Sequence, residues 1–200
     1  EDYKNPDKNP ICDEECRDKG MLEGLQDYID SQPKGDILII LHQMGNHGPA
    51  YYKRYPQSFE KFKPTCKTNE LNKCSNDEIN NAYDNAILYT DYFLHEAIKL
   101  LKQNDGRFET AMIYLSDHGE SLGEKGVYLH GIPYFIAPDN QKNIAAIFWL
   151  GDSFKAQKKL LTNKINTEYT HENLFHTVLG LMEVNTSLYD KQKDILYSNE

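Results

Sequence analysis

The chain has 200 residues and a formal net charge of −9, from 22 Lys and Arg against 31 Asp and Glu. This negative balance argues against nucleic-acid binding, which depends on neutralising phosphates with basic side chains. Hydrophobic residues make up 39% of the sequence, which argues against a disordered chain. The longest purely apolar run, residues 144–150, is far shorter than the roughly 20 residues that span a bilayer. We therefore predict one folded domain, or a large part of one, that binds no nucleic acid.

Apolar residues at three- and four-residue steps predict two helices, at residues 20–30 and 77–102. Thr170 is a candidate N-cap for a last helix that ends at residue 181. Residues 1–18 and 43–68 contain repeated Pro or Gly without a steady period, so both segments are predicted to be loops.

Three continuous apolar runs predict strands that are buried on both faces: residues 37–41, 110–116 and 144–150. Strands that alternate with helices indicate an α/β fold, in which helices cover a mostly parallel sheet. In such folds, sites form beyond the carboxyl ends of the strands.

The four cysteines lie in two polar segments, and their spacing favours two local disulfides, Cys12–Cys16 and Cys66–Cys74. The second gap is too wide for a zinc site with two tight cysteine pairs. Four cysteines allow three connectivities, and four free thiols in a cytosolic protein are the alternative. Disulfides favour an oxidising compartment such as the periplasm.

Two segments after predicted strands carry the residues of chemical interest: residues 41–49, with His47 between two glycines, and residues 116–131. Asp117 and His118 supply a carboxylate and an imidazole, which suit zinc, and Gly119 allows the chain to turn both towards one ion. Glu120 could orient a ligand or bind a second ion.

Glycines between residues 119 and 131 allow the chain to bring His130 back towards the same place. The alternative for each of these residues is structural. An Asp-His pair in a loop is more often a hydrogen-bonded turn than a metal site, and a histidine near glycines is usually an ordinary loop residue.

Residues 42–56 (HQMGNHGPAYYKRYP) and 116–131 (SDHGESLGEKGVYLHG) resemble the bacterial phosphoethanolamine transferases, which include lipid A modifying and colistin-resistance enzymes of the alkaline phosphatase/sulfatase superfamily. Further similar segments lie at residues 15–22, 81–86, 170–181 and 194–196. The similarity therefore extends over nearly the whole chain.

The resemblance implies zinc-dependent transfer of phosphoethanolamine from phosphatidylethanolamine to lipid A or a related envelope acceptor, through a covalent phospho-threonine intermediate. It implies Asp117 and His118 as zinc ligands and Glu120 as the neighbouring acidic position. It places His47 and His130 beside the phosphoryl group or a second metal. It also implies the periplasmic face of the inner membrane, with a membrane anchor outside these residues.

The nucleophilic threonine and one acidic zinc ligand of that family precede the region that this chain resembles. We therefore expect residues 1–200 to be the C-terminal portion of a sulfatase-like periplasmic catalytic domain, a processed or cut product that begins at Glu1. Alone it is expected to be inactive, and its partner is the upstream half of the same domain.

Two alternatives stay open. The Asp-His-Gly motif also fits a sulfatase, a phosphodiesterase or a phosphoglycerol transferase of the superfamily. A non-catalytic lipid- or protein-binding remnant of the fold is the other alternative, and the missing nucleophile is its main support.

Overall fold

The computed structural model describes Asn5, Cys12 and residues 15–198, so most of the loop predicted for residues 1–18 lies outside the described residues. The chain divides into two compact units. Unit 1 comprises Glu1–Leu100 and Met112–Phe148, and unit 2 comprises Leu101–Ala111 and Trp149–Glu200.

The chain contains both helices and strands, which agrees with the predicted α/β class. The α-helices are α1 (Leu25–Ser31), α2 (Asn76–Asn104), α3 (Asp139–Lys142), α4 (Lys155–Lys164) and α5 (His171–Leu181). The strands are β1 (Ala111–Leu115), β2 (Ser121–Leu122), β3 (Tyr128–Leu129) and β4 (Ala146–Leu150). Short 3-10 helices lie at Asp18–Leu22, Tyr51–Lys53, Gln57–Phe59, Leu71–Lys73 and Glu124–Gly126. No helix among the described residues has the length and apolar character needed to cross a bilayer.

The described strands form two pairs, β1 with β4 and β2 with β3. The Ser116 amide donates to the Ala145 carbonyl at 3.4 Å, and the Gly151 amide donates to the Thr110 carbonyl at 2.7 Å. These bonds join opposite ends of β1 and β4, so the two strands run antiparallel. The prediction placed most strands parallel, and an apolar run alone cannot give strand direction because it reports burial and not pairing.

The strand predicted for residues 37–41 is absent, since no described residue pairs with this segment as a strand. The segment is not buried on both faces either: Leu38 is 56% exposed and Ile40 is 82% exposed. Its apolar run was sufficient to suggest a strand, but a strand also needs a neighbour to accept and donate its backbone hydrogen bonds.

The core of unit 1 is built on one face of α2. Ile79 and Ala82 pack with Tyr51, Cys66 and Leu71, so the long loop before α2 lies against this helix. The Cys66–Cys74 disulfide closes part of that loop, and a second disulfide joins Cys12 to Cys16. Both predicted disulfides are therefore confirmed.

Asn85, on the same helix, fixes the loop by hydrogen bonds. Its side chain is fully buried, and its Oδ1 accepts from the amides of Lys61 at 2.7 Å and Phe62 at 2.9 Å. Its Nδ2 donates to the Phe62 carbonyl at 2.9 Å. One side chain thus forms hydrogen bonds with three backbone groups of a segment that lies outside regular secondary structure.

In unit 2, α5 begins after Thr170 as the sequence predicts. The Thr170 amide donates to Asn173 Oδ1 at 2.9 Å, which is one half of a capping box. Further along α5, the buried Thr177 hydroxyl accepts from the Ile195 amide at 3.0 Å. This bond attaches the C-terminal segment to the helix.

We predict that Asn85→Ala lowers the free energy of unfolding by about 2–4 kcal/mol, because it empties a fully buried side-chain position and removes the acceptor of two loop amides. Asn80→Ala is the matched control, since Asn80 is exposed on the same helix. Urea unfolding of both variants measures the difference. Equal stability of the two variants would contradict the anchoring role of Asn85.

Candidate functional site

Three imidazoles from distant parts of the sequence meet in unit 1. The ring centroids of His118 and His130 lie 3.8 Å apart, and the centroid of His47 lies 5.2 Å from that of His130 and 6.2 Å from that of His118. One ring nitrogen from each histidine lies within 4.8 Å of those of the other two. Three nitrogen ligands at this separation could hold a metal ion.

The β2–β3 pair brings His118 and His130 together. Ser121 pairs with Leu129, and Leu122 pairs with Tyr128, so the residues before β2 and after β3 lie at the same end of this antiparallel hairpin. The backbone at Gly119, next to His118, packs closely against α3. A Cβ atom at Gly119 would collide with the Asn140 carbonyl oxygen at the start of that helix. Only glycine fits at residue 119 without a shift of the backbone.

His47 lies on the loop before α2, and hydrogen bonds hold it in place. The buried carboxylate of Asp18 accepts from the Met44 amide at 3.0 Å and from the Gly45 amide at 2.8 Å. Arg54 Nε donates to the His47 carbonyl at 2.7 Å. A charged partner on each side therefore fixes the backbone that carries this imidazole.

The backbone next to His47 also lies against the hairpin. A Cβ atom at Gly48 would approach Leu129 Cδ2 to 2.6 Å and the Tyr51 hydroxyl to 2.7 Å. That hydroxyl is buried and has no hydrogen-bond partner among the described residues. Burial and the nearby Glu120 carboxylate raise the pKa of Tyr51, because both disfavour the phenolate. Tyr51 therefore keeps its proton and packs as a neutral side chain against the backbone next to His47.

Hydrogen bonds define the tautomers of His47 and His118. The Nδ1 of His47 lies 2.7 Å from the Gly48 carbonyl oxygen, and the Nδ1 of His118 lies 2.9 Å from the Gly119 carbonyl oxygen. A carbonyl oxygen only accepts, so Nδ1 carries the proton in both rings. Each neutral ring then presents an unshared electron pair at Nε2.

Glu120 acts on the third histidine in the same way. Its side chain is 5% exposed, and its Oε1 lies 3.2 Å from His130 Nδ1. An ionised carboxylate only accepts, so His130 Nδ1 donates and its Nε2 is also unprotonated in the neutral ring. A carboxylate behind a histidine is the usual arrangement that orients a metal-binding imidazole.

Asp117 differs from the other predicted site residues because its side chain is 79% exposed. Its Oδ1 accepts from the His118 amide at 3.0 Å and lies 3.8 Å from His118 Nε2. That separation allows this oxygen and this nitrogen to bind one zinc ion at the usual ~2.0–2.2 Å. The donor atoms of Asp117 and His118 therefore fit a zinc ion.

The structure brings His47, His118 and His130 together, with Glu120 in contact with His130 and Asp117 beside His118. Sequence reasoning missed Asp18, Arg54 and Gln141, which hold these residues from outside the cluster. Asp18 belongs to a segment that carried the resemblance, but its charge in a short loop gave no specific signal. Gln141 lies in the four-residue helix α3, which is too short to produce a periodic pattern.

Comparison with known proteins gives consistent results. Residues 1–184 match the family model described as Sulfatase. The chain is 50% identical over 189 residues to the phosphoethanolamine transferase EptA of Salmonella typhimurium, a match that covers 92% of this chain and 34% of that protein. It is 46% identical over 197 residues to the phosphatidylethanolamine transferase Mcr-1 of Escherichia coli, covering 96% of this chain and 35% of that protein.

A solved structure agrees with these matches. The C-terminal periplasmic domain of the phosphoethanolamine transferase EptC from Campylobacter jejuni superposes with a TM-score of 0.84 and 48% sequence identity. The match covers 90% of this chain and 57% of that domain. The chain thus spans about a third of the length of the curated relatives and somewhat more than half of the solved domain.

We predict that Asp18→Asn lowers the free energy of unfolding by about 1–3 kcal/mol, because an amide NH₂ replaces one of the two oxygens that accept from the loop amides. Asp27→Asn, at an exposed position of α1, should change it by less than about 0.5 kcal/mol. Thermal and urea unfolding measure both. A harmless Asp18→Asn would show that the carboxylate does not hold the His47 loop.

Proposed function

Because the chain belongs to the sulfatase family, we propose that it supplies part of the site for zinc-dependent transfer of phosphoethanolamine. The donor is phosphatidylethanolamine, and the acceptor is lipid A or a related envelope molecule. The observation that carries the proposal is the cluster of three imidazoles, each with its Nδ1 hydrogen-bonded to an oxygen atom. The 46–50% sequence identity to named transferases supports it.

Asp117 and His118 would hold the zinc ion. They supply one carboxylate oxygen and one imidazole nitrogen, 3.8 Å apart, on the same turn after β1. When bound, zinc would act as a Lewis acid that offsets negative charge on the transferring phosphoryl group. The Gly119 carbonyl keeps the His118 ring in the tautomer that this role requires.

His47 and His130 would lie beside the phosphoryl group. With Nδ1–H hydrogen-bonded to oxygen, each neutral ring offers a lone pair at Nε2 to a cation. Once Nε2 is protonated, the same ring offers an N–H to a phosphoryl oxygen. The two rings lie at an angle of 76°, so their Nε2 atoms approach a common ligand from different directions. In this scheme Glu120 orients His130 and does not itself contact the substrate.

The rest of the proposed reaction depends on groups outside this cluster. We propose that the phosphoryl group is carried on a threonine from the upstream half of the same catalytic domain, with which this chain would pack. We place the reaction at the periplasmic face of the inner membrane, as the periplasmic domain of the Campylobacter jejuni relative suggests.

We predict that His47→Ala, His118→Ala and His130→Ala each lower transfer from phosphatidylethanolamine vesicles to lipid A by about 10²-fold or more, since loss of a ligand or of a group that contacts the phosphoryl oxygens weakens charge stabilisation. His95→Ala should retain the wild-type rate, because His95 is exposed on α2. Mass spectrometry of the lipid A product measures the transfer by the intact protein.

Metal analysis and a second substrate complete the test. Chelation should abolish transfer and Zn²⁺ should restore it, and His118→Ala should lower the bound zinc while His95→Ala does not. Full activity of the three site variants, or activity that chelators do not affect, would refute the proposal. Hydrolysis of sulfate esters without transfer of phosphoethanolamine would assign the protein to another activity of the superfamily.

A further inference from the structure

The short helix α3 contacts the β2–β3 hairpin at the end where His118 and His130 lie. Gln141, its third residue, is 8% exposed. Its Nε2 donates to the Ser121 hydroxyl at 2.9 Å and to the Leu129 carbonyl at 3.0 Å. Since a primary amide has two N–H groups, one side chain satisfies both acceptors.

The same residue also contacts the His118 turn, through its backbone. The Gly119 amide donates to the Gln141 carbonyl at 3.1 Å. Gly119 follows His118, and Leu129 precedes His130. Gln141 is therefore bonded to the neighbour of each histidine, once through its main chain and once through its side chain.

The Leu129 backbone needs this support. Its φ is +65°, a left-handed conformation that residues with a side chain seldom adopt. Such a conformation persists only where the surroundings hold it, and it is common at functional sites. The Gln141 amide bonds to the carbonyl of this residue, so it stabilises the turn that aims His130 at His118.

We propose that Gln141 is a positioning residue that sets the placement of His130 relative to His118 by bonding Leu129 and Ser121 through its side-chain amide. It touches neither the proposed metal ion nor the phosphoryl group. The proposal concerns the geometry of the two imidazoles, and only its kinetic consequence rests on the proposed transferase activity.

The test uses two substitutions in the intact protein. Gln141→Met keeps the length of the side chain and removes both N–H groups. Gln141→Glu keeps the shape and places an ionised acceptor against the Leu129 carbonyl, which can only accept. Neither change alters the backbone carbonyl that binds Gly119. Gln103→Met is the matched control, because Gln103 is exposed on α2.

Two measurements separate positioning from a general loss of stability. The first is the affinity for Zn²⁺ alone, measured by competition with a chromophoric chelator. The second is steady-state transfer from phosphatidylethanolamine vesicles, measured below the melting temperature of each variant. We expect both Gln141 variants to lose about 10–100-fold in Zn²⁺ affinity and in kcat, with KM within about twofold, while Gln103→Met retains wild-type values.

Each outcome decides the proposal. Wild-type Zn²⁺ affinity and kcat in folded Gln141→Met or Gln141→Glu would overturn it, and so would failure of both variants to fold, because that result would show a role in the fold alone. If only one variant folds, that variant decides. A fall in Zn²⁺ affinity in a protein without transferase activity would support the positioning role and refute the proposed function instead.

Discussion

The antiparallel pairing of Ser121–Leu122 with Tyr128–Leu129 is the constraint on which the rest of the site depends. A two-residue strand pair has few hydrogen bonds of its own and cannot be stable alone. It is held from outside: Gln141 bonds to both strands, and the Gly119 backbone packs directly against Asn140. The hairpin converts a sequence separation of 12 residues between His118 and His130 into a ring separation of 3.8 Å.

His47 reaches the site by a different physical route. Its loop has no strand partner among the described residues, and side chains supply the missing hydrogen bonds. Asp18 bonds two of the loop amides, and Arg54 bonds the His47 carbonyl. The loop behind it rests on α2, where Asn85 bonds three further backbone groups. The buried side chains of Asp18 and Asn85, together with that of Arg54, thus replace regular secondary structure in keeping an irregular segment fixed.

The features that could be predicted from the sequence are those that depend on residues close together in the chain. Helix α2, the cap at Thr170, both disulfides and the strands β1 and β4 follow from periodicity, residue chemistry and spacing. The strand at residues 37–41 was wrong because an apolar run cannot show whether a partner strand is available. Asp18 and Gln141 were missed for a related reason: their bonds join residues that are 26 and 12 positions apart, and no local pattern reports such contacts.

The donor atoms of the site favour a cation over an anion as a ligand. Around the three imidazoles lie the carboxylates of Asp117 and Glu120, and in the neutral rings each Nε2 presents a lone pair. Lone pairs and carboxylates attract a cation and repel the oxygens of a phosphate group. A phosphate ester would be favoured only after a bound cation has offset the charge of the two carboxylates.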